Sequence, residues 1–316
     1  MKLNKLFALA PIAAAMVAGQ AHAGAYALSY NHIKDLVITS SPAFAAADIQ
    51  SKSTTRADLN AATVNHTDSG FNATADALAS QINVAKAEND LTPQGKTGVN
   101  YARGDAQIVS IQTPFPGSST RAWNVAEANL VSTGTALGQA ENQSLSSLQT
   151  SFVATNNTTV SFDFFADPYL RAIVDPGSMP PTLATARLAV QISIVDDAGN
   201  TVFSWTPDGQ LGTGITGGTE SADDTSLNRS VSRSHIATGT ADYDPTGDAS
   251  VGVDVGTGSM KHFAAITNAL ANGTYTLFLS MDERADLRLT VPEPGSALLL
   301  GLGLAGLGLI RRKYVG

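Results

Sequence analysis

The 316-residue chain predicts a mainly β fold: one antiparallel β-sandwich, jelly-roll-like, over residues 24–290, with a distinct apolar segment at either end. Three observations predict it. Apolar and polar residues alternate in several short runs, clusters of Gly, Pro, Asn and Asp separate those runs, and no regular series of helices falls between them. The last point disfavours a parallel α/β sheet.

The elements follow in chain order. Phe71, Ala75, Leu78, Ile82 and Ala85 fit a helical stripe, so one short helix is expected within 72–88, although Ala73, Ala75, Ala77 and Ala79 also alternate. Residues 122–152 share that ambiguity, with Trp123 and Val125 in strand spacing. Val160, Phe162 and Phe164 mark one strand face, and Leu188, Val190, Ile192 and Ile194 mark another. Asp196 to Asn200 is turn chemistry, and Val202 to Trp205 returns as a hairpin partner. The Gly/Thr/Ser/Asp stretch from Thr206 to Thr225 is expected as a long exposed loop. Tyr275, Leu277, Leu279 and Met281 share one face, and Leu287, Leu289 and Val291 close the pattern.

Composition removes several classes of function. The chain has no cysteine, which excludes disulfide frameworks, thiolate zinc sites, iron–sulfur clusters and cysteine nucleophiles. Five of its 19 cations and one of its 27 anions lie in the terminal segments, so the central region carries a net charge of about −12. That balance argues against nucleic acid as a partner, because phosphate neutralisation needs a basic patch.

The ends read as targeting signals. Lys2 and Lys5 precede an apolar run from Leu6 to Gly19, and Ala21 and Ala23 place small residues ahead of Gly24. This is the pattern of a signal peptide over residues 1–23, with cleavage between Ala23 and Gly24. At the other end, the 17 residues from Pro294 to Ile310 contain no charge, enough for a helix of roughly 26 Å. A transmembrane segment is expected over 295–310. Arg311, Arg312 and Lys313 follow it at once and resist translocation, keeping that end cytoplasmic.

Val291-Pro292-Glu293-Pro294, the short Gly/Leu-rich apolar stretch and the basic cluster together resemble a PEP-CTERM sorting signal, over residues 291–316 alone. The resemblance implies recognition by exosortase, processing near the Pro-Glu-Pro, and a Gram-negative producer of extracellular polysaccharide. It implies no catalytic residue. Pro292 and Pro294 lack amide donors and disfavour helix before them, which keeps a processing segment extended.

Other motifs are sparser. Asp242, Asp244, Thr246, Gly247 and Asp248 place oxygens at alternate positions around a glycine, like the opening of a calcium loop. Position twelve is Val253 where a bidentate Glu is needed, so a plain acidic turn is the stronger reading and no cofactor is required. His32, His66, His235 and His262 are scattered without zinc-ligand spacing, and no Gly-x-Ser-x-Gly elbow occurs. Arg103-Gly104-Asp105 is a tripeptide that recurs by chance. Trp205, Trp123 and Tyr169 are compatible with a sugar-stacking platform or, more commonly, with buried anchors.

The expectation is therefore a non-enzymatic exported protein. It is held transiently in the inner membrane, then placed at the cell surface or outside the cell, in association with exopolysaccharide and biofilm. A carbohydrate-binding module is the alternative, and a secreted hydrolase a weaker one.

Overall fold

The computed structural model describes residues 24–43, 46–60, 62–70, 72–80, 91–109, 119–131, 137–247 and 257–290. These residues form two antiparallel eight-stranded sheets. Sheet A runs through β12 (Gly218–Asp223), β15 (Lys261–Thr267), β8 (Thr159–Val174), β1 (Gly24–Ser41), β6 (Ser119–Val131), β5 (Tyr101–Val109) and β4 (Asn72–Ser80), with β14 (Gly239–Tyr243) also on β8. Sheet B runs through β11 (Ile215–Thr216), β10 (Thr201–Trp205), β9 (Met179–Asp196), β16 (Gly273–Thr290), β7 (Leu137–Ala154), β2 (Ala46–Leu59) and β3 (Ala62–Ser69), with β13 (Asn228–Ser234) also on β9. The first and last strands, β1 and β16, lie at the centres of their sheets.

The sheets face one another across a single apolar core. Toward the β12 edge, large rings fill the gap: Phe162 stacks on Phe203 at 5.3 Å, and Phe164 meets Phe263 at 5.0 Å and Trp205 at 5.7 Å. Toward the β4 edge the interior is alanine and serine. There the sheets approach closely enough for a hydroxyl to reach the opposite backbone: Ser53 Oγ donates to Ala73 O at 2.9 Å. Near the middle, Ser29 Oγ donates to Arg187 O at 2.7 Å. Small residues permit that approach, and each hydrogen bond satisfies a hydroxyl that would otherwise cost 1–3 kcal/mol to bury.

The alternating runs at Val160, Leu188, Val202 and Tyr275 are strands in the expected phase, and β9 pairs β10 as a hairpin. The ambiguity over 122–152 resolves to β6 and β7.

Two expectations fail. Residues 72–80 of the expected helix are the strand β4, with Ala73, Ala75, Ala77 and Ala79 all buried; the rest of that span lies outside the described residues. Period two prevails because sheet B offers a flat small-residue face for those alanines to pack on. The stretch from Thr206 to Thr225 contains β11 and β12 and turns between the sheets. At Gly217 (φ 70°) a Cβ would stand 1.9 Å from Val202 O, so only glycine permits the crossing.

Sheet A is covered on its outer face as well. Tyr26, Leu28, Tyr30, Leu91, Val125 and Tyr169 form a second buried cluster there. β1 is consequently buried along ten successive residues, Gly24 to Ile33, where β4 and β16 alternate.

Candidate sorting and processing site

The tail leaves the fold from one pole, and the registers define it. Thr290, the last residue of β16, pairs with Leu137 and Met179, and the β8–β9 turn joins the sheets beside it. Gly24, the expected first residue after signal cleavage, opens β1 opposite Val131 and next to Val174. Both ends of the folded region therefore emerge at the same pole. Gly24 O accepts from Asp175 N at 2.9 Å, and a Cβ at Gly24 would meet Asp175 Oδ2 at 2.7 Å. The Lys96 ammonium pairs with the same carboxylate.

Thr182 ties the exit together. Its Oγ1 accepts from Thr290 N at 3.1 Å and donates to Met179 O at 2.6 Å, while its carbonyl accepts from His235 N at 3.1 Å. The chain is thus held by a hydrogen bond at the last described residue before the tail. Ala21, Ala23, Val291, Pro292, Glu293, Pro294, Arg311, Arg312 and Lys313 lie outside the described residues. Among the described residues no helix is long and apolar enough to cross a membrane.

The remaining candidates disperse. The Asp242 carboxylate faces Arg171, accepting from Nε at 2.8 Å and Nη2 at 3.2 Å, which raises the guanidinium's already high pKa. Asp244 Oδ1 accepts from Gly247 N at 2.8 Å and Thr246 Oγ1 at 3.1 Å, closing a turn, and Thr246 Oγ1 also lies 2.9 Å from Asp167 Oδ1. Asp248 lies outside the described residues, among which no three His, Asp or Glu side chains cluster as metal ligands. His262 Nε2 lies 3.2 Å from Asp163 on the surface, and His66 Nδ1 lies 3.3 Å from Asp76. Neither pair is joined to a serine by any described hydrogen bond.

Trp205 is fully buried, and its indole N–H donates to Glu220 Oε1 at 2.6 Å, so it offers no face to a sugar. Tyr169 is likewise buried, its phenol pushed up to about 12 by desolvation. Trp123 stacks on His32 at 4.3 Å and meets Tyr30 edge-on at 6.2 Å. Trp205 and Tyr169 are buried anchors, and Trp123 is half-buried against the second cluster.

Two buried glutamates escape a motif search. Arg103 and Asp105 of the tripeptide are buried in β5 and paired with each other, and Arg103 Nη1 reaches Glu127 at 3.3 Å. Glu127 also accepts from Tyr26 Oη at 2.7 Å, Gln94 N at 2.8 Å and Gly95 N at 2.6 Å, which pins residues 91–100 over sheet A. Burial, then the Glu127 charge, raises the Tyr26 and Tyr101 phenols well above their usual range. The second carboxyl, Glu283, points into the core. Burial pushes it well above the usual carboxylate range, which the neighbouring Asn124 and Asn31 amides only partly offset. Its signal was the phase of β16, which sets Glu283 on the face of Leu279, Met281 and Ala285.

No curated protein and no solved structure matches the chain. A family model does match, over residues 290–313, beginning at the residue where β16 ends. Such a motif implies an exported protein that exosortase sorts. This chain carries, at its C-terminal end, the PEP-CTERM protein-sorting motif.

Proposed function

We propose that this is a non-enzymatic surface or matrix protein, delivered outside the inner membrane as a folded β domain and held there by its tail until exosortase processes it near Pro292–Pro294. The carrying observation is the junction: the matched motif begins at Thr290, where a central strand ends. Residues 295–310 supply the membrane anchor, and Arg311, Arg312 and Lys313 hold it against translocation. Pro292 and Pro294 disfavour helix in the residues before them, which suits a processing segment placed directly after the last strand. Burial of Trp205 and Tyr169 speaks against sugar stacking by those rings, so association with exopolysaccharide would rest on other surfaces or on location alone.

The test is intact-mass measurement of the mature protein from cells with and without active exosortase. Signal cleavage gives a chain starting at Gly24, and active exosortase gives a C-terminus near Pro294. A chain still ending at Gly316 in the active strain overturns the processing.

A further inference from the structure

The pole that carries the tail also carries apolar side chains that the fold leaves in solvent. Ile236, at the tip of the β13–β14 turn, is 85% exposed; Met179 and Leu183, at the start of β9, are 43% and 38% exposed. They surround one point. Thr182 bonds Thr290 through its hydroxyl and His235 through its carbonyl, so the Ile236 turn and the β9 start flank the residue from which the tail departs. Arg233 and Arg288 stand at the same end, and among the described residues no ion pair joins either of them to a carboxylate, although Asp286 shares the Arg288 face of β16 and the domain as a whole is strongly acidic.

Chain length determines how close this pole comes to lipid. Between Thr290 and the apolar run starting at Gly295 lie four residues, which span at most about 14 Å when fully extended. A bilayer that takes up residues 295–310 therefore brings its headgroup layer against this pole. The opposite pole, where Val153 pairs with Thr274, is separated by the length of β16, 18 residues or roughly 55 Å.

We infer that, while the tail is membrane-held, Met179, Leu183 and Ile236 dock into an anionic lipid surface, with Arg233 and Arg288 over the headgroups, so that the sandwich stands upright with its Val153 pole outward. An apolar tip rimmed by cations is the composition that binds the interface of an anionic bilayer. The inference rests on the tail-anchoring reading proposed above.

The chain's lack of cysteine makes single labels unambiguous. Full-length Ile236→Cys, Val153→Cys and Ala305→Cys proteins, each carrying an environment-sensitive fluorophore, are reconstituted into phosphatidylethanolamine/phosphatidylglycerol vesicles containing a lipid-borne nitroxide near the headgroups. Quenching about twofold stronger at Ile236 than at Val153 is expected, for a side chain lying about 5–10 Å inside the interface. Adding Met179→Ser and Leu183→Ser to the Ile236 reporter reduces that quenching. If Ala305 is quenched while Ile236 behaves like Val153, docking is overturned and the anchor stands. If Ala305 is not quenched, the anchor fails and docking with it.

Discussion

The outer face of sheet A and the space between the sheets each bury a glutamate, and they accommodate it in different ways. On sheet A, Glu127 is surrounded by Arg103, the Tyr26 hydroxyl and two backbone amides from residues 91–100. Between the sheets, Glu283 has no cation partner among the described residues, and burial favours its protonated form. The first carboxylate has ion-pair and hydrogen-bond partners and holds a covering segment in place; at the second, burial favours the proton. A buried acid is tolerated either by compensating its charge or by removing it.

The largest effect expected from breaking this contrast is at Glu127. Glu127→Ala leaves a phenol and two amides without their acceptor and takes from Arg103 one of its two carboxylate partners; it is expected to cost about 3–5 kcal/mol, measured by chemical denaturation. It is also expected to raise hydrogen exchange over residues 91–100; unchanged exchange there would show that the segment is held by other contacts.

At Glu283 the sign is opposite. A carboxyl whose folded pKa is raised holds its proton in the native state, so stability is full below the unfolded pKa and falls as pH rises toward the folded one. Glu283→Gln keeps the shape and removes the ionisation. It should equal the parent near pH 4 and exceed it increasingly at neutral and alkaline pH, and parallel pH–stability curves would refute the assignment.

Asp223, at the end of β12, gives a smaller version. Burial pushes its carboxyl up to about 6, against opposing hydrogen bonds from the Gly209 and Asp208 amides. Stability contributed by its proton is lost between about pH 4 and 6, and Asp223→Asn should remove a step on the order of 2 kcal/mol from that window.

The smallest effect is expected at the solvated outer face of sheet B, where Arg56 pairs with Asp58 at 2.7 Å. Arg56→Ala should change stability by less than about 1 kcal/mol. A loss comparable with that of Glu127→Ala would mean the two outer faces do not differ as described.

The two sheets also differ in how readily they are read from sequence. β16 and β9 bury one face against the core, so period two is clean from Tyr275 to Leu289 and from Leu188 to Ile194. β1 is buried on both faces under residues 91–100 and has no period, and no strand was assigned there from sequence. β4 was misread because alanine at alternate positions carries too little contrast to oppose a chance helical stripe; the facing sheet decides it. Trp205 closes a short hairpin strand directly before turn residues in sequence, and it is fully buried in space, packed on Phe164 from the other sheet.

By itself, the sequence determined what is encoded over short, contiguous distances: the two terminal signals, the strand periods of half-buried segments and the turns between them. Length, charge order and alternation along the chain suffice for these. Tertiary structure alone decided which carboxyls are buried, which rings are anchors, and that Gly24 and Thr290 meet at one pole. Those facts depend on pairings between residues from about twenty to more than a hundred positions apart, where local propensity carries no information and only the shared core selects the register.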